Sequence, residues 1–164
     1  MTARIKRSQF ATYLNTTPSS AATWSLIGDG ITNLKESLNP KTSSETYITD
    51  NVATISVDSY APTMPAIATA KVGEAVFEYI RGLRDAKAIL SDCETQIINV
   101  ALYETPTAGA YPATQQNCSI QVDEFSGEGG VKMNQNFTIN FQGTPTQGTF
   151  NPSTKTWTAT TGGE

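Results

Sequence analysis

The chain has 164 residues, of which 38% are apolar and 16% charged, and its formal net charge is -4. That length fits one domain, so modest a charge excludes the signature of a disordered chain, and an acidic pI of about 4.8 excludes tight nucleic-acid binding, which needs clustered cations. No apolar run approaches the roughly 20 residues that span a bilayer.

Residues 1–20 read as an extended arm, basic at Arg4, Lys6 and Arg7 and then polar. Ser8, Gln9, Thr12 and Asn15 interrupt any secretory apolar core, so a cytoplasmic origin with reduced Cys93 and Cys118 is expected. Thr23 to Ile27 has strand composition and stops at the turn signal Gly28-Asp29-Gly30. Ile31 to Leu38 is cut short by Asn39-Pro40, which favours a short strand or a single turn. Asn39 to Thr46 reads as a polar loop and Thr46 to Thr49 as a short strand. From Val52 the chain alternates, with Ala53, Ile55 and Val57 opposite Thr54, Ser56 and Asp58, the period of two that marks a strand. Pro62 and Pro65 are expected to break it, since proline has no N–H for a central ladder.

One segment has helical period. Val72, Val76, Tyr79, Ile80, Leu83, Ala86 and Leu90 fall in one stripe, and Glu74, Glu78, Arg81 and Asp85 lie opposite. Three strands are predicted after it: Gln96 to Glu104, Gln116 to Glu124, and one in which Phe137, Ile139 and Phe141 oppose Asn136, Thr138, Asn140 and Gln142. Ser126 to Gly130 is a turn between the last two. Asn151 to Thr154 turns the chain between Thr149-Phe150 and Lys155 to Thr158, a terminal hairpin, and the end is expected to fray. Together these elements predict a mainly β chain. Its fold is a two-sheet antiparallel β-sandwich or partly closed barrel, with one amphipathic helix packed on it.

Chemistry is hard to place on these residues. With no histidine in the chain, the Ser-His and Cys-His nucleophile pairs and every imidazole metal site are excluded. Cys93 stands between Asp92 and Glu94, whose charge disfavours a thiolate. The carboxyl pairs Asp123/Glu124 and Asp92/Glu94 read as solvated rather than as a glycosidase pair. No glycine run carries the lysine of a phosphate loop. No catalytic residue, cofactor or metal is therefore expected.

Several stretches, taken in order, resemble the tail tube (major tail) proteins of long-tailed bacteriophages, the siphophages. They are Trp24-Ser25-Leu26-Ile27-Gly28-Asp29-Gly30-Ile31, Asn39-Pro40, Thr46-Tyr47-Ile48-Thr49-Asp50 and Val57-Asp58-Ser59-Tyr60-Ala61-Pro62. Glu74-Ala75-Val76-Phe77-Glu78-Tyr79-Ile80 with Leu83-Arg84, and Phe141-Gln142-Gly143-Thr144-Pro145 with Gly148-Thr149-Phe150, complete the set. The likeness covers most of residues 10–150 and lies in the order and spacing of these elements, none of which is specific alone. It departs from the family at Gly73-Glu74-Ala75, where members often carry Asp-Pro, and the extra C-terminal immunoglobulin-like domain that some members carry is not expected here.

The resemblance implies a virion structural protein, not an enzyme, whose six-subunit rings stack into the tube through which viral DNA is ejected. It implies an N-terminal arm over 1–20, one domain over 21–160 with a long inter-ring loop at about 39–70, and a frayed 161–164. Inter-ring contacts are then expected from Arg4, Phe10, Tyr13, Tyr47, Tyr60, Pro62 and Met64. A polar strand face would line the lumen, with Gln121, Asp123, Asn136, Thr138, Asn140 and Gln142 as candidates. Partners implied by the family are further copies of the chain, a tape measure protein, a tail terminator and a distal tail protein. DNA passes without specific binding, no membrane is involved, and assembly in the host cytoplasm precedes residence in the tail. A contractile-tail or secretion-system tube shares the expected fold. A carbohydrate-binding module is the other alternative, and would use aromatics such as Trp24, Tyr47, Tyr103, Tyr111 and Trp157.

Overall fold

A computed structural model describes residues 3–160. Its elements are β1 (Phe10–Asn15), β2 (Trp24–Leu26), β3 (Ile31–Leu34), β4 (Pro40–Glu45), β5 (Thr54–Tyr60), β6 (Thr63–Ala68), α1 (Ala75–Ala86), β7 (Glu94–Ala101), β8 (Tyr111–Ser126), β9 (Asn134–Asn151) and β10 (Thr156–Ala159). Eight strands form one antiparallel sheet in the order β2-β1-β7-β8-β9-β6-β3, with β10 added to β9, while β4 and β5 pair only with each other. The sheet curls into a half-barrel. Tyr13 and Leu26 from one end line the same groove as Ile31 and Leu34 from the other, which a flat sheet could not allow.

Both faces of this sheet are packed. Leu14, Met64, Ile97, Cys118, Ile120, Phe137 and Ile139 form one core, closed by Val76 and Ile80 of α1. Tyr13, Trp24, Ile98, Val100, Ala113 and Phe150 form a second. The adjacent pairs Tyr13/Leu14 and Ile97/Ile98 are split between the two, because neighbouring strand residues point to opposite faces. β1 is therefore a central strand, covered on both sides.

The expected arm over 1–20 is corrected by that finding. Ala11 to Asn15 are buried, and Tyr13 pairs with Leu26 and Ile98, so only the residues before β1 extend outward. Residues 1–2 and the expected frayed 161–164 lie outside the described residues. The polar loop expected at 39–46 is the strand β4, and the strand expected at Thr46 to Thr49 belongs to the turn that joins it to β5. A second partner strand, invisible to local pattern, ordered the serines and threonines of β4.

Pro65 lies inside β6, between β9 and β3, where a break was expected. Its carbonyl accepts from Lys35 N at 3.4 Å, so the polar groups of this residue face the β3 side. In an antiparallel strand N and C=O of one residue point the same way. The missing N–H thus falls just beyond the end of the short β3 and costs β9 nothing.

α1 starts at Glu74, whose carboxylate accepts from Val76 N at 3.1 Å and Phe77 N at 2.6 Å, satisfying donors that every helix start leaves free. It stops at Lys87 in the left-handed conformation. Val76, Tyr79, Ile80 and Leu83 face the sheet as their period requires. Val72 and Leu90 do not, since both fall outside the helix and are 88% and 80% exposed. The terminal hairpin forms as expected, Trp157 opposite Phe150. Gly148 is required there, because a Cβ would lie 2.6 Å from the Trp157 ring. Replacing Ile80 by Ala should cost about 2–5 kcal/mol in urea unfolding, whereas Val72→Ala should stay within about 0.5 kcal/mol.

Candidate functional site

The face of β7, β8 and β9 away from α1 is divided. At one end Ile98, Val100, Ala113 and Phe150 are buried in the second core, and at the other the same face is polar and open. Register brings Glu94, Ser119 and Asn140 into one row and Gln96, Asn117 and Gln142 into the next, with Gln121 opposite Thr138. Polar side chains occupy these positions because Cys118, Ile120, Phe137 and Ile139, one residue away, take the buried side.

The side chains bind one another along and across strands. Thr138 Oγ1 and Gln121 Nε2 each donate to Asp123 at 2.6 Å, and Asn136 Nδ2 donates to Glu124 Oε1 at 2.6 Å. Asn140 donates to Gln121 at 3.4 Å, and Gln142 to Glu94 at 3.3 Å. Asp123 is an extra residue on β8, since Val122 pairs with Phe137 and Glu124 with Asn136. That bulge brings Glu124 onto the polar face beside Asp123, where strict alternation would have sent it towards the core. Glu94, Asp123 and Glu124 are all exposed, and β7, β8 and β9 contain no Lys or Arg. The surface is a hydrogen-bonded sheet of amides and hydroxyls with unpaired negative charge.

All six residues singled out in the sequence as lumen candidates, Gln121, Asp123, Asn136, Thr138, Asn140 and Gln142, thus lie on β8 and β9 and each makes a side-chain hydrogen bond on this face. Glu94, Gln96, Asn117, Ser119 and Glu124 join them and were missed. The alternation of Gln96 and Ile97 was the available signal, but assigning it to this face needed the β7–β8 register.

A second feature is the hairpin β4–β5, whose strand residues are exposed throughout. Tyr47 and Tyr60 belong to it and are exposed, as is Arg4, while Phe10 and Pro62 are half-buried. Two contact candidates are corrected here. Met64 is 1% exposed in the first core, and Tyr13 is 6% exposed with its ring 4.6 Å from that of Phe150 and reaches the surface only as part of a groove wall, so neither side chain projects as a contact.

Reactive chemistry finds little support. Cys118 is buried and its thiol is pushed up to about 12 by burial. The Cys93 thiol donates to Leu90 O at 3.0 Å. Asp123 and Glu124 are exposed and engaged by neutral donors. Trp24 is buried in the second core, and Trp157 and Tyr111 pack against it, so these aromatics form no open platform for a sugar.

No protein family matches the sequence, and no curated protein matches it. Solved structures do. One is a chain from the tail of an empty GTA particle with C6 symmetry, 11% identical, with a TM-score of 0.64 over 87% of this chain and 97% of that one. Another is a chain from the six-fold symmetrised baseplate of the anti-feeding prophage (AFP), 9% identical, with a TM-score of 0.53 over 90% of this chain and 97% of that one. The fold is shared with chains of tail and baseplate particles.

Alkylation of the native protein at pH 8 should modify Cys93 and leave Cys118 untouched until unfolding, read by mass spectrometry. In the unfolded chain a thiol ionises near pH 8.5. The folded state keeps Cys118 protonated, so its contribution to stability is full below that pH and falls as pH rises towards about 12. Tyr13 and Tyr79, both raised by burial, act in the same direction. Urea unfolding between pH 8 and 11 should show this fall, less steep in Cys118→Ala.

Proposed function

We propose that this chain is the repeating subunit of a phage tail tube, a structural virion protein without enzymatic activity. Copies close into six-membered rings, and rings stack into a pipe through which viral DNA leaves. The observation that carries this reading is the conjunction of two surfaces on one small fold: an open polar face with acids and no cations, and a hairpin exposed on both sides. The likeness of fold to chains of six-fold symmetric particles supports it.

The polar face lines the lumen. Carboxylates at Glu94, Asp123 and Glu124 repel phosphates, and with no Lys or Arg among them DNA releases no counterions on contact. Neutral amides at Gln121, Asn136, Asn140 and Gln142 stay bonded to neighbouring side chains, which leaves few free donors for a passing phosphate. A conduit of this kind lets the genome slide. The hairpin and the segment before β1 form inter-ring contacts, with Arg4, Tyr47 and Tyr60 in those regions and Phe10 and Pro62 at their bases. The edge strands β2 and β3 are short, and ring formation covers edges that would otherwise promote uncontrolled association.

A tape measure protein inside the pipe, and terminator and distal tail proteins at its ends, follow as partners, and assembly takes place in the bacterial cytoplasm. The likeness to a baseplate chain favours a second reading, in which the chain builds a ring of a baseplate-bearing tail-like particle. Co-purification with sheath and baseplate proteins separates the two.

Concentrated protein should form rings or tubes about six-fold in projection under negative-stain electron microscopy. Replacing residues 40–60 by a two-residue turn should leave the far-ultraviolet β spectrum intact and abolish stacking. In virions, Glu94→Lys with Asp123→Lys should slow DNA ejection several-fold while tubes still form. Ejection at the parental rate from fully assembled tails removes the lumen assignment.

A further inference from the structure

The exposed hairpin is built to stay extended. An isolated two-stranded hairpin is marginal in water, yet this one continues a ladder that begins in the body. Ser37 pairs with Thr63, Ala61 N donates to Leu38 O at 3.2 Å, and Asn39 Nδ2 donates to Ala61 O and Thr63 Oγ1 at 3.1 Å each. β4 and β5 therefore prolong the β3–β6 ribbon by about 20 Å at 3.3 Å per residue, and the ribbon carries them outward instead of back across the same subunit. At the same time the hairpin holds apolar side chains in water, with Ile55 71% and Val57 54% exposed. Side by side on one face of an exposed ribbon, they offer an apolar contact to another molecule.

The groove at the seam of the half-barrel is complementary in both respects. It has a volume of about 530 Å³, and its walls include Phe10, Tyr13, Leu26, Ile31, Leu34 and Leu102, an apolar set. Arg7 also lines it, held by donation from its guanidinium to Phe10 O at 2.6 Å. The segment before β1 supplies Arg4, Lys6 and Arg7 with no acid, whereas residues 40–60 carry Glu45, Asp50 and Asp58 against the single Lys41. Glu45 and Asp58 lie on the face of the hairpin opposite Ile55 and Val57, with Ser43 Oγ donating to Asp58 at 2.9 Å, so the hairpin offers apolar knobs on one side and negative charge on the other.

We propose that the seam groove of one subunit receives the β4–β5 hairpin of a second copy, with Ile55 and Val57 entering the slot and the basic segment before β1 closing over the hairpin's other face, where Asp58 and Glu45 lie. This rests on the tube reading and specifies its stacking contact. Knob and slot lie at different places on the subunit, so the contact is heterologous and repeats from copy to copy instead of closing on itself as a two-fold pair.

Cross-linking between separately tagged chains tests it, in a Cys93→Ser background. One chain carries Ile55→Cys and the other Leu26→Cys, both at exposed sites, and the mixture is assembled and oxidised. A disulfide joining the two tags is expected, at least ten-fold above the yield when Val72→Cys replaces Leu26→Cys. Well-formed tubes whose cross-linking does not exceed the Val72→Cys control overturn this contact and leave the tube reading standing. A folded protein that stays monomeric at every salt and concentration overturns the tube reading, and the contact with it. As a second readout, Arg7→Glu should raise the concentration needed for assembly about ten-fold and Asp58→Lys on the same chain should lower it again; failure of that rescue overturns the charge pairing.

Discussion

The long pairing of β8 with β9, from Tyr111 opposite Phe150 to Ser126 opposite Asn134, is the constraint on which the rest depends. Side chains alternate along it, so every pair on this ladder is assigned to one of two faces. One face takes Cys118, Ile120, Phe137 and Ile139 under α1. The other takes Ala113 and Phe150 into the second core and leaves Gln121, Asp123, Thr138 and Asn140 open. Strands of 16 and 18 residues serve two environments only if the ladder can bend between them. Gln116 on β8 and Gly143 to Pro145 on β9 stand outside the regular register, and Gly143 has a φ of +66°, a conformation that favours glycine. Gln116 Nε2 donates to Gly143 O at 2.8 Å and ties the irregularity together.

Burial on both faces of the middle strands has an energetic consequence. β1 and β7 contribute side chains to both cores, so their removal would open two packed regions at once. The polar network adds little stability, because its members are partly or fully exposed and exchange bonds with water at small net gain. Its role lies in presentation: it holds amides and carboxylates in rows on a rigid sheet. Exposure of the hairpin β4–β5 is the opposite case, an element that the single chain leaves unpaid in buried area and that association would complete.

Much of this was legible in the residues. The alternation of Phe137, Ile139 and Phe141 against Asn136, Thr138, Asn140 and Gln142, and the stripe Val76, Tyr79, Ile80 and Leu83, each report a local period, and local period is set by backbone geometry. The absence of histidine and of cations from the later strands follows from reading alone. So does the resemblance to tail tube proteins, which pointed to this fold. Other positions were misread where the deciding partner was distant in sequence. Pro40 to Glu45 has no strand composition and becomes β4 because β5 pairs with it, and Pro65 is accommodated because its empty donor position falls past the end of β3.

By itself the sequence determined the class of fold, the single amphipathic helix, the polar strand face and the poverty of catalytic groups, since each depends on residue type and short-range spacing. Only the tertiary structure decided that β1 is a central strand and not an arm, that Tyr13 and Met64 are core, and that Glu94, Gln96 and Asn117 stand beside Gln121 and Asn140. Those facts depend on which strands become neighbours and in what register. Neighbour choice is made by burying area between residues eighty positions apart, and no local pattern records it.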